Sequence, residues 1–353
     1  GAGVQKKDAE SARTQIIDGI RHVFNTGAPA KAKVALEVAE ILGISPQDAD
    51  PASPPLLDAA VKDERGNIYL ADRQSAVVYK FDSAGKSLAK FPRKGQGPGE
   101  FPALGDIQVA DGHLWIVGTW PLKIAELTLD GQFVKEWNFR TFRNFYLRTI
   151  VIGEDRCLTV SYRDVPGSEE RNRVSALMNS KEEFLTQYHM DQGAGIFRLQ
   201  TAQQEGPAIA STSPLVAADI HHAFDRDSGS VFVCGNKNYE IFVKSADGTT
   251  RLVIHNAYRK ISLDDAAKER VLKLIAPRIR REAIKPAGEQ LPDALNAIWG
   301  IEALRGGVLA VKRITGIDSV EIDLFDCQGL SGRPGHGRAG AVAPEPTTMP
   351  ILP

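Results

Sequence analysis

Cysteine is almost missing from this chain. Cys157, Cys234 and Cys327 are the only three in 353 residues, far apart and in no C-x-x-C spacing. That pattern speaks against a disulfide framework and against a structural zinc site. Cys157 and Cys234 are left as thiols inside expected strands. Long apolar runs are lacking too: nothing approaches the ~18 residues a membrane-spanning helix needs. Neither sign of charge dominates, with 43 Lys and Arg against 44 Asp and Glu and a net charge of -1. No global field therefore favours nucleic acid or an anionic membrane surface. The Gly-x-Ser-x-Gly elbow is absent, and no Ser–His–Asp order can be defended. The opening, Gly1-Ala-Gly-Val-Gln-Lys-Lys-Asp8, has no apolar core of a secretory leader, a start that fits a processed exported chain or a cloning remnant equally.

Turn formers are plentiful, with 32 Gly and 20 Pro, as many short strands require. They recur in register. Val78-Tyr-Lys-Phe-Asp-Ser-Ala-Gly85, Ile124-Ala-Glu-Leu-Thr-Leu-Asp-Gly131, Ile241-Phe-Val-Lys-Ser-Ala-Asp-Gly248 and Val320-Glu-Ile-Asp-Leu-Phe-Asp-Cys-Gln-Gly329 each run from alternating apolar residues into an acidic or polar turn and a glycine. Asp-Gly and Asp-x-x-Gly supply the positive φ that tight hairpins demand. Upstream of each lies a strand–turn–strand: Ala59–Leu70, Ile107–Val117, Ala223–Val233 and Ile301–Val311, with a degenerate copy at Thr149–Val160. The spacing of the first two units is about 46 residues, inside the range of propeller repeats.

The expected fold is therefore an all-β propeller with five recognisable blades over residues 55–100, 101–143, 144–190, 214–257 and 294–330. Each has an inner strand, two middle strands and an outer strand. Thr14–Phe24 and Lys33–Leu42 read as two further strands that complete a partial sixth blade and close the ring. The chain divides into an extension at 1–13, a propeller at 14–330 with a helical insertion about 258–290, and a tail at 331–353 with four Gly and five Pro. That tail is either disordered or threads onto a partner. Residues 191–213 read as a loop, and 262–283 as a helix opened by Ser262-Leu-Asp-Asp265 with an apolar stripe of Leu272, Leu274, Ile275 and Ile279. The helix is expected to cover a propeller face; docking a partner is the livelier reading.

Gly66-Asn-Ile-Tyr-Leu-Ala-Asp72, Tyr79-Lys-Phe-Asp82 and Gly95-Gln-Gly-Pro-Gly-Glu-Phe101 resemble the NHL-type six-bladed β-propellers, in particular exported bacterial ones of unassigned function. Asp18-Gly-Ile-Arg-His-Val-Phe-Asn25 is similar to their lead-in, and the resemblance runs from about residue 14 to 330. It implies a propeller that binds ligands or proteins, or a minority activity as a metal-assisted lyase or hydrolase. Fold alone does not choose among these.

Gly95-Gln-Gly-Pro-Gly lacks the Gly-Lys-Ser/Thr ending and the following helix of a phosphate loop, and reads instead as a blade-to-blade turn. Arg140–Arg148 interleaves cations and aromatics, which reads as a linker strand rather than a nucleic-acid platform. Aligning the starts of the inner strands brings Asp58, Asp106, Arg148, His221 and Gly300 to equivalent positions around the channel mouth. Two carboxylates, a guanidinium and an imidazole there fit an anionic or divalent-metal ligand, or acid–base work if one carboxyl titrates high. The plain alternative is that Asp58 and Arg148 neutralise a wet channel. His221 and His222 are neighbours on a strand and point to opposite faces, so at most one is expected at a given site. The function expected is a non-enzymatic binding scaffold outside the cytoplasm, with no cofactor, no resident metal and no catalytic residue assigned. Its partner is a protein or small ligand at a propeller face, not nucleic acid. The alternatives are a channel-mouth metal-assisted lyase or hydrolase around Asp58, Asp106 and His221, and a subunit of a larger assembly docked through its tail.

Overall fold

The computed structural model describes residues 12–26, 42–49, 55, 57, 59–73, 75–91, 94–119, 122–139, 148–153, 155–165, 167, 171–192, 197–199, 209–211, 213–276, 290–326 and 328–330. Asp58, the interleaved stretch 140–147, most of 33–42, Cys327 and the tail lie outside them.

In chain order, the N-terminal hairpin is β1 (Ala12–Ile17) and β2 (Ile20–Asn25). The first blade is β3 (Ala59–Lys62), β4 (Ile68–Asp72), β5 (Val77–Phe81) and β6 (Ser87–Phe91). The second is β7 (Leu104–Ala110), β8 (His113–Thr119), β9 (Leu122–Thr128) and β10 (Phe133–Asn138). The third is β11 (Thr149–Gly153), β12 (Arg156–Asp164), β13 (Arg171–Asn179) and β14 (Phe184–Asp191). A small ribbon follows, β15 (Phe197–Leu199) and β16 (Ile209–Ser211). The fourth blade is β17 (Ile220–Asp225), β18 (Ser230–Gly235), β19 (Glu240–Lys244) and β20 (Thr250–Asn256). The fifth is β21 (Ile298–Leu304), β22 (Val308–Ile314) and β23 (Val320–Phe325). Strands within each blade pair antiparallel and in sequence order. The inner strands β3, β7, β11, β17 and β21 stand side by side around the axis. This is a β-propeller.

The turn glycines do what their positions demand. Gly85, Gly131, Gly248 and Gly329 all have φ between +77° and +88°. Asp82 closes its turn by accepting from the backbone N–H of Ala84 and Lys86, and Asp326 does the same for Gln328 and Leu330. Among the described residues, the four gaps between successive blades each hold an apolar layer. Tyr69 and Val78 meet Phe101 and Ile107; Trp115 and Trp137 meet Val151 and Met178; Leu158 and Tyr188 meet Ile220 and Val233; Ile241 and Ile254 meet Ile298 and Val311. Cys157 and Cys234 sit in these layers as buried free thiols, and burial pushes the Cys157 thiol up to about 12.

The glycine-rich stretch is a blade connection. Lys123 Nζ donates to the carbonyls of Gly97 and Glu100 at 2.7 and 3.0 Å, while Glu136 accepts from the Gly99 N–H at 2.9 Å. Glu100 accepts from Gly97 N–H, so two of the backbone donors a phosphate would use already meet carboxylates.

Four expectations change. Thr14–Phe24 is not one strand but the β1–β2 hairpin, turned at Asp18-Gly19 with φ of 50° and 77°. Asp-Gly is the strongest short hairpin signal, and here it lies inside an apolar run. The hairpin also does not build a sixth blade: β2 pairs parallel with β20 and extends the fourth blade to six strands. Val23 explains the placement, being buried in the layer between the fourth and fifth blades. Residues 191–213 include the β15–β16 ribbon rather than loop alone. The insertion helix starts later than expected, at Asp265–Ile275, because Asp264 rather than Ser262 caps it by accepting from Ala267 N–H. Ser262 instead bridges to Ala294. The helix buries Val271 and Leu272 against Leu215, Val216 and Ile314, whereas Leu274 is exposed. No helix among the described residues is long and apolar enough to cross a membrane.

Candidate functional site

Three inner strands, β11, β17 and β21, begin at a small cleft of about 240 Å³ lined by Arg148, His221, His222, Trp299, Gly300, Ile301 and Lys312. Arg148 precedes β11, the histidines lie on β17, and the rest come from β21 and β22. Three blades thus converge on it. Of the residues that repeat alignment placed around the mouth, Arg148, His221 and Gly300 are brought together here. Asp106 lies two blades back from His221 on β7, and no hydrogen bond or ion pair among the described residues joins it to them. Its Oδ1 accepts from Ile107 N–H at 2.9 Å. Burial raises its carboxyl above the ordinary range, against the pull of that N–H and of Arg73. Asp58 lies outside the described residues.

Arg148 is fixed from behind. Its Nη2 lies 3.1 Å from Asp219 Oδ2, and Asp219 Oδ1 meets the buried Arg173 Nη1 at 2.7 Å. One carboxylate therefore serves two guanidinium groups, and Asp191, paired across the ladder with Arg173, adds a second negative charge behind them. Arg148 Nη1 also donates to His221 Nδ1. Arginine has no acceptor, so Nδ1 must accept and Nε2 must carry the ring proton. That Nε2–H is buried and has no hydrogen-bond partner among the described residues. Lys312 adds a second cation, with no ion pair to a described residue.

His222 behaves differently. Its Nδ1 accepts from Ser175 Oγ and its Nε2 donates to the Arg148 carbonyl, both at 2.9 Å. Complete burial, then the Arg148 charge, pushes the ring down to about 3. Both histidines nevertheless line the one cleft, contrary to strand alternation, because Arg148 wraps the inner edge of β17 and meets one with its guanidinium and the other with its carbonyl.

The depressed His222 has a measurable consequence. The fold keeps out a proton that the unfolded chain accepts near pH 6.5. Its contribution is intact above that pH and falls by about 1.4 kcal/mol per pH unit on the way down toward pH 3. Urea unfolding at pH 7 and pH 5 is expected to show a steeper acid loss for the wild type than for His222→Gln. Equal slopes would remove His222 from the acid response.

Sequence reasoning missed Asp219, Arg173, Trp299 and Lys312. Lys312 pairs across the ladder with Gly300, and a bulge between Ile298 and Gly300 sets Trp299 out of register. A glycine in a strand does flag a bulge or close approach, so Gly300 was the available signal. Nothing in the strand alternation marks Arg173 as buried.

Residues 58–182 match the family DUF5128, described as 6-bladed beta-propeller. No curated protein matches the chain. Among solved structures, a DUF4221-family member from Bacteroides vulgatus is similar at 10% identity and a TM-score of 0.50, over 84% of this chain and 85% of that one. A candidate exported protein of Bacteroides fragilis matches at 14% identity and TM-score 0.47, covering 82% and 73%. A gluconolactonase from Xanthomonas campestris matches at 14% and 0.38, covering 79% and 76%. At these identities the likeness concerns fold and not activity. Over residues 58–182 the chain is thus similar to a family of 6-bladed β-propellers, and its five stacked blades make it a propeller.

Proposed function

We propose that this propeller is a non-enzymatic binding module working outside the cytoplasm, and that its channel mouth holds a small anion. The unpartnered, buried His221 Nε2–H carries the reading. A buried donor without an acceptor costs about 1–3 kcal/mol, and an oxyanion in the cleft would relieve it. Arg148 and Lys312 would supply the charge, and the small volume limits the ligand to a short carboxylate, a phosphate or one anionic end of a larger molecule. The extracytoplasmic placement rests on resemblance to exported propellers, and cell fractionation tests it.

The runner-up, a metal-assisted lyase or hydrolase, draws on Asp106, whose carboxyl titrates high. Its other members are His221, already committed to Arg148, and Asp58, outside the described residues. Titrating acetate, citrate and inorganic phosphate into the protein, with heat or melting temperature as readout, decides the anion reading. At least one is expected to bind, and Lys312→Ala to weaken it about tenfold, the scale of one lost charge-assisted contact. Silence from all three, or binding indifferent to Lys312→Ala, would count against it.

A further inference from the structure

A second cleft, of about 440 Å³, lies where β2 is laid against β20 and the chain leaves the fourth blade. Its volume falls within the range of small-molecule sites, roughly 300–1,000 Å³. Its lining differs in kind from the channel mouth. No cation lines it, and Glu240 is the one carboxylate. The rest of its polar surface comes from amides, including Asn238 and Asn256, from His255, and from the tyrosines Tyr239 and Tyr258.

The key group is Asn256, which is only 8% exposed. Its Nδ2 donates to Asp323 Oδ2 at 3.3 Å, which fixes the amide orientation because a carboxylate only accepts. Its Oδ1 is buried and has no hydrogen-bond partner. His255 stacks flat on Phe24, with centroids 4.4 Å apart and planes 6° apart. Burial, partly offset by Glu240, holds its pKa below the ordinary value, and its Nε2 is bonded to His22 Nδ1 at 2.9 Å. Tyr258 is half-buried, with its hydroxyl on the Lys237 carbonyl and its ring tilted 45° to Tyr239.

We infer that this cleft is a binding site for an uncharged polyhydroxylated ligand, a saccharide. Each hydroxyl both donates and accepts, matching amides and one carboxylate, and it can donate to the stranded Asn256 oxygen. The Tyr258 ring offers an apolar face to the C–H face of a sugar ring. An anion would meet Glu240 without a counter-charge, and a cation would find one carboxylate where several are needed. The site shares no lining residue with the channel mouth.

Calorimetric titration with maltose, cellobiose, lactose and N-acetylchitobiose tests it. At least one is expected to bind with a Kd of about 1 mM or tighter, and Tyr258→Ala and Asn238→Ala each to weaken it about tenfold. Both positions are part or fully exposed, so the fold should survive, which a melting curve checks. Lys312→Ala, at the other cleft, is expected to leave sugar binding unchanged. No heat from any of the four sugars would overturn the inference. So would binding that persists in both variants, or binding lost in Lys312→Ala and kept in Tyr258→Ala.

Discussion

Replacing Asp219 with alanine is expected to destabilise the protein by about 3–5 kcal/mol, the cost of breaking a buried ion pair from one side. Arg173 is 2% exposed and meets Asp219 at 2.7 Å, and Arg148 leans on the other oxygen. Without the carboxylate, the buried Arg173 loses its ion pair at 2.7 Å and Arg148 loses its anchor. The Ile220 N–H also loses its acceptor. Urea unfolding measures the effect. The double variant Asp219→Leu with Arg173→Met should recover most of it, because removing both charges leaves no buried ion uncompensated. A midpoint for Asp219→Ala equal to wild type would show that the cluster contributes nothing. The same variant frees Arg148 from its anchor, so whatever anion binding is found at the channel mouth should weaken with it.

Phe101→Ala should cost a similar amount, about 3–5 kcal/mol. Phe101 ends the glycine-rich connection and is fully buried between the first and second blades. Its ring lies so close to Gly118 that a Cβ there would come within 2.8 Å of it, so the second blade has closed around the ring. Lys123 stands 5.3 Å above the ring while its ammonium holds the connection's carbonyls. The truncation therefore opens a cavity and removes a cation–π contact of about 0.5–2 kcal/mol. Phe101→Leu, which keeps most of the volume, is expected to cost only about 1–2 kcal/mol. Chemical unfolding of both variants separates the cases; equal losses would mean that ring shape, not volume, holds the seam.

The blades could be read in advance because each is local. An alternating strand, an acidic turn and a glycine at positive φ fit within about 12 residues, and the alternation repeats at Gly85, Gly131, Gly248 and Gly329. The same local chemistry makes Asp18-Gly19 a turn. Its partner was hidden: β2 joins β20 across more than 200 residues, through a parallel pairing that no local pattern encodes. The channel mouth was half legible. Arg148, His221 and Gly300, equivalent in the repeats, line one cleft, whereas Asp106 is not among its lining and Asp58 lies outside the described residues. Lys312 and Trp299 depend on a bulge, and Asp219 lies just before β17, where the alignment had nothing to compare.

Residue order alone determined that these segments become short antiparallel sheets, because hydrophobic alternation and turn chemistry act over neighbouring residues. Only the tertiary structure decided which charges are buried together, where the N-terminal hairpin docks and which polar atoms are left without partners. Those outcomes depend on distances between blades, which arise when the sheets pack and the apolar layers between them close.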